Sequence, residues 1–160
     1  MPAASPTHDT AELTRFIETR YHARHRQQFP LLVRLAEMIE DLHDGDADIP
    51  QGLFDTLQRM IDHLEEDMKK EELKVFPAIR RGDGMKVADR IAHMRANHEN
   101  YRHAVAEIRR LTGDLNVPKG ACEPWVTLYG GLSEFIADLQ EHLRLENEVL
   151  YPSFEGTTRG

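Results

Sequence analysis

The sequence predicts an all-α protein, an antiparallel up-down-up-down four-helix bundle. Three observations carry that prediction. No stretch of the 160 residues alternates apolar and polar side chains with period 2, so nothing reads as a half-buried strand. Four segments instead repeat apolar residues in steps of four and three, the spacing of a helix seam inside a bundle. Short connections marked by Pro and Gly separate them, and helices joined by short loops pack antiparallel to their neighbours.

Each element follows from its own signals. Residues 1–8 are a Pro/Ser/Thr tail, expected to be disordered. Asp9 with Glu12 three residues later makes a capping box and opens the first helix, which should run to about His43. Pro30 should kink it, because the ring removes one ladder bond and crowds the preceding turn. DGDADIP (44–50) is a loop, and Pro50 is placed as the first residue of the second helix. That helix should end near Val75, stopped by Phe76-Pro77, with the next turn at Gly82-Asp83-Gly84. The third helix covers about 85–112, and Gly113 to Pro124 is the longest connection. The fourth runs from about Pro124 to Leu150 and stops before Pro152. Residues 9–155 thus form one domain, with 156–160 a second tail.

Composition narrows the function. A chain of this length buries a continuous core without covalent staples. Its formal charge of −8 argues against nucleic acid or an anionic membrane surface as partner, since both require a basic face. The single cysteine, Cys122, excludes an internal disulfide and fits a reducing compartment; it is expected to be a small buried residue near the loop. MPAASPTHDT holds no apolar signal core, and no apolar run approaches the ~20 residues of a membrane span. The expected location is the cytoplasm.

The informative feature is where the apolar stripes break. The second helix reads Leu53, Leu57, Met60, Leu64, then Asp67 and Glu71; the fourth reads Leu128, Leu132, Phe135, Leu139, then His142 and Glu146. The third gives Ile91, Met94, His98, Tyr101, Val105 and Ile108. Read backwards, the first gives Ile39, Ala36, Leu32, Phe29, then His25 and His22. Burying such groups unpaired costs several kcal/mol, so they need one another or a metal. In an antiparallel bundle His22, Asp67, Glu71, His98, His142 and Glu146 fall within a turn or two of one level. His43 lies roughly 31 Å further along the first helix and is left out.

An internal repeat makes the same point. DMKKEELKVFP (67–77) and HLRLENEVLYP (142–152) superpose at an offset of 75, aligning Asp67 with His142 and Glu71 with Glu146. Each copy carries a pair at i and i+4 on one helix face, able to grip a shared ion. Two related carboxylates, Glu71 and Glu146, can bridge two metals, and imidazole with carboxylate suits iron better than four-coordinate zinc. A lone core histidine is more often a hydrogen-bonded structural residue, but six such residues at one level are not explained that way. His63, His93 and His103 fall off the stripes and read as solvated.

These residues resemble a known family. RYHARHRQQFP, KKEELKVFPAI, ACEPWVTLYGGL and RLENEVLYP are similar to the hemerythrin-like HHE domain, most closely the di-iron domain of the repair-of-iron-centres family, over about residues 10–155. The resemblance implies ligands at His22, Glu71, His98, His142 and Glu146 and a bridged centre of two non-haem irons. It also implies nitric oxide binding and protection of, or iron supply to, iron–sulfur clusters under nitrosative or oxidative stress. The sequence departs from the family at Asp67, where the family has His. Asp is shorter than His, so it binds through oxygen or water, or leaves a position open, in a harder site expected to favour ferric iron. The family's cysteine-containing N-terminal domain has no counterpart in these residues.

Three function classes follow. The preferred one is a stress-response protein that binds nitric oxide or donates iron to iron–sulfur proteins. The others are a hemerythrin-type carrier or sensor of oxygen, and a di-iron enzyme acting on nitric oxide or peroxide. The sequence names no catalytic residue.

Overall fold

The computed structural model describes residues 9–155, so both expected tails lie outside the described residues. Every element among them is helical. The first helix, α1, comprises Thr10–Phe16, a π-helical turn Ile17–His22 and Ala23–Leu42. The second, α2, comprises Leu53–Lys70, a π turn Glu71–Val75 and Phe76–Arg80. A 3₁₀ turn, Gly84–Val87, leads into α3, Ala88–Leu111. The fourth, α4, comprises Glu123–Arg144 and a π turn Leu145–Leu150, and runs into a 3₁₀ turn, Tyr151–Phe154. α1 packs against α2 and α4, and α2 packs against α3. The four-helix bundle is the architecture expected.

Local chemistry explains most ends. Asp9 caps α1 by accepting from the backbone N–H of Ala11 at 2.9 Å and of Glu12 at 3.2 Å. α2 begins later than expected, at Leu53 rather than Pro50. Gly52 takes φ +93°, which turns the chain into the helix, and Glu40 of α1 accepts from the N–H of Gly52 and Phe54. α2 also runs past Pro77 to Arg80. The π turn is the reason: Phe76 N–H bonds back five residues to Glu71 O, so Pro77 falls in the first turn of a renewed helix, where no donor is needed. At the matching place in α4, Tyr151 N–H reaches Glu146 O, and there only a 3₁₀ turn follows.

The core is in two parts. One buried cluster holds Phe29, Leu32, Ile39, Leu57, Leu64, Leu132, Phe135 and their neighbours. The other holds Leu13, Ile17, Tyr21, Val75, Phe76, Ile91, Leu145 and Tyr151. All four stripes read from the sequence are buried along their full length, including their polar members. Those polar members lie between the two clusters. A π turn inserts one residue into a helix and re-aims the side chains after it. Here such turns begin, end or lie at the polar level, and they let one helix bury a seam on both sides of it.

Candidate metal centre

His22 closes the π turn of α1, Glu71 opens that of α2, and Glu146 sits in that of α4 with His142 one turn earlier. Donor atoms of His22, Glu71, His142 and Glu146 all lie within 4.8 Å of one another, and all four residues are buried. His22 Nε2 is 3.1 Å from Glu71 Oε1, and His142 Nε2 is 2.9 Å from Glu146 Oε2. His98 of α3 joins through Glu146, its Nε2 lying 3.2 Å from Oε1. Asp67 is buried one turn before Glu71 but outside the group of four; it accepts from the Tyr101 hydroxyl and, at 3.4 Å, from Asn97 Nδ2. Five of the six expected residues are thus drawn together, and the sixth stands beside them on a tyrosine.

The three imidazoles share one orientation. Each has Nδ1 engaged on the far side and Nε2 turned to the carboxylates. His22 Nδ1 meets Glu72 Oε2 at 2.7 Å, His98 Nδ1 meets Asn147 Oδ1 at 2.7 Å, and His142 Nδ1 meets His25 Nε2 at 3.0 Å. A partner at Nδ1 fixes ring and tautomer and leaves the Nε2 lone pair facing inward, as a metal-binding imidazole requires. Glu72 is held in turn by Arg26, whose NH1 and NH2 donate to it at 2.7 and 3.0 Å. Tyr151 donates its hydroxyl to Glu71. His22 stacks on Phe76 at 5.8 Å between centroids, and His142 on Tyr21 at 5.8 Å, which fixes both rings from the apolar side.

Electrostatics mark the cluster as incomplete without a cation. Burial, then the charge of Glu146, push Glu71 up to about 7 against the pull of His22. Burial disfavours a charged His22, yet Glu71 and Glu72 outweigh it and raise that imidazole to about 9. Burial and the neighbouring His22 drive His142 down to about 3, and burial with His142 drives His25 to about 2. His22 Nε2 is buried with no aligned hydrogen bond, although Glu71 lies in contact distance. Two buried carboxylates and an inward Nε2 with no aligned partner, which gives up its proton to a metal, are what a cation would satisfy. Nitrogen and oxygen donors of this kind fit iron.

His25, Glu72, Tyr101, Asn147 and Tyr151 were not among the expected site residues. His25 and Tyr101 were visible on the stripes. Glu72 and Asn147 follow the paired glutamates and coincide at the repeat offset, a signal present in the sequence. His43 stays away from the centre as expected: its Nε2 is 3.3 Å from Cys122 Sγ, and its ring lies on Trp125. Cys122 is half-buried rather than buried. His63, His93 and His103 are exposed. A groove of 680 Å³ between α2 and α3 is lined by His63, Asp67, Asn97 and Tyr101 among others and opens the Asp67 side to solvent.

The chain is similar to known proteins over most of its length. An iron–sulfur cluster repair protein YtfE of Edwardsiella ictaluri is 43% identical over 141 residues, 88% of this chain and 64% of that protein. The protein of the same name from Yersinia pseudotuberculosis is 41% identical over 140 residues, 88% of this chain and 63% of the relative. The chain therefore spans a little under two thirds of the length of these relatives. Residues 17–154 match the hemerythrin HHE cation binding domain. With that match over most of its length, the chain belongs to the hemerythrin HHE cation-binding domain family.

Proposed function

We propose that the protein holds two non-haem irons between its four helices, with His22, Asp67, Glu71, His98, His142 and Glu146 as ligands and Glu71 and Glu146 as bridges. We further propose that this centre serves the repair of iron–sulfur clusters under nitrosative or oxidative stress, by binding nitric oxide or supplying iron. The observation that carries the metal reading is the buried group of two Glu and two His, closed within 4.8 Å and fed by all-inward Nε2 atoms. The repair reading is supported by the names of relatives more than 40% identical across the bundle.

Bound iron would supply a redox-active Lewis acid able to take a diatomic ligand. The protein's part is to hold it. Glu72, Asn147 and His25 fix the imidazoles, Tyr151 fixes Glu71, and the two apolar clusters keep bulk water from the rings. The Glu72–Arg26 pair keeps the proton of His22 on Nδ1, away from the centre. The test is anaerobic iron loading followed by spectra under nitric oxide and under oxygen, and by addition to a nitric oxide-damaged iron–sulfur enzyme. Recovery of the damaged enzyme that depends on Glu71 and Glu146 supports the proposal. Reversible oxygen binding with no recovery would point to a carrier, and catalytic loss of nitric oxide or peroxide to an enzyme.

A further inference from the structure

The site is built twice, with different residue types at matching contacts of the two halves. His22 and His25 of α1 correspond to His98 and Tyr101 of α3, each pair three residues apart. Asp67, Glu71 and Glu72 of α2 correspond to His142, Glu146 and Asn147 of α4. The contacts obey the same correspondence. Glu72 holds Nδ1 of His22 as Asn147 holds Nδ1 of His98, both at 2.7 Å. His25 touches His142 at 3.0 Å, and at the equivalent place Tyr101 donates to Asp67. Where one half pairs imidazole with imidazole, the other pairs a longer phenol with a shorter carboxylate. The two changes in length have opposite signs, and both pairs close in hydrogen-bond contact.

On the metal reading given above, we propose that Tyr101 is a positioning residue that holds Asp67 as an oxygen ligand of one ion, as His25 holds His142 for the other. The two ions then sit in unequal halves, and Asp67 and Tyr101 can be exchanged only as a pair. An ionised carboxylate has lone pairs to spare. The tyrosine hydroxyl occupies Asp67 Oδ2 and leaves Oδ1 with only a long contact from Asn97 Nδ2 at 3.4 Å. Tyr101 is 3% exposed and its hydroxyl is spent on Asp67, while the groove they both line opens this half of the site to solvent and His142 in the other half is 1% exposed. The half with Asp67 is therefore oxygen-rich and wetter, and the half with His142 nitrogen-rich and dry.

The experiment loads the full chain with ⁵⁷Fe and records Mössbauer spectra together with release to a chelator. Wild type should show two quadrupole doublets of equal area. Tyr101→Phe, which removes only the hydroxyl, should move one doublet and speed release of one iron about tenfold. His25→Phe should move the other doublet. Asp67→His with Tyr101→His rebuilds the His25–His142 pair, and the doublets should converge; Asp67→His alone should not reach that state. If Tyr101→Phe leaves both doublets and both release rates unchanged, the proposal is overturned and the metal reading stands. A wild-type chain that takes up no iron overturns the metal reading and the proposal with it. Circular dichroism of each variant separates loss of the centre from loss of the fold.

Discussion

Replacing Glu72 by Ala separates the support of the centre from the centre itself. Glu72 Oε2 receives His22 Nδ1 and Arg26 NH1, both at 2.7 Å, and Oε1 receives Arg26 NH2 at 3.0 Å. Without it His22 keeps its place on Phe76 but loses what fixes its tautomer. Partners of this kind are worth about 10–100-fold in metal affinity, or roughly 1.4–2.7 kcal/mol. Arg26 is 36% exposed and retains Glu65 at 3.0 Å, so the fold should lose less than about 1 kcal/mol. A second effect has the opposite sign. Glu72 helps hold His22 up at about 9, so removing it lowers the proton's hold on that imidazole and eases metal entry at neutral pH. The affinity loss should therefore be larger at pH 9 than at pH 7. Competition against a ferrous chelator at both values measures it, with thermal melting as the control. Glu72→Gln, which keeps an acceptor, should retain most of the affinity. Equal affinity of wild type and Glu72→Ala at both pH values would refute the reasoning.

Other perturbations give distinct outcomes. Glu71→Ala and Glu146→Ala should each remove most of the iron and leave the helices folded, since the apolar seam is intact elsewhere; iron analysis and circular dichroism check this. Full iron in both variants would make the glutamates structural. Iron affinity should rise with pH, because Glu71 at about 7 and His22 at about 9 must both lose protons to bind. The slope of log affinity should be near about two below pH 7 and about one between 7 and 9, measured by chelator competition, whereas a flat profile would contradict the assignment. Phe135→Ala, at the edge of His25 and Phe29, should cost about 3–5 kcal/mol in denaturant unfolding.

Much of this was legible in the sequence, because one rule governs both fold and site. The 4-3 stripes gave the buried face of every helix, and the residues that broke those stripes converge, Asp67 excepted. The π turns were not legible. A repeat of Glu followed six residues later by Pro marks two of them, but periodicity continues across an inserted residue with only a shift of phase, and Pro77 read as a stop. The start of α2 was missed because its cap comes from Glu40 on another helix, a tertiary contact with no local trace. Asp67 was placed at the right level, but its partner was not foreseen, since Tyr101 on an apolar stripe looks like ordinary core.

The account stands most directly on the metal content of the intact chain. Iron per chain, determined on protein loaded anaerobically and then oxidised, should come to about two, with magnetic measurements showing the two ferric ions antiferromagnetically coupled. One iron per chain, or tight zinc in place of iron, would contradict it.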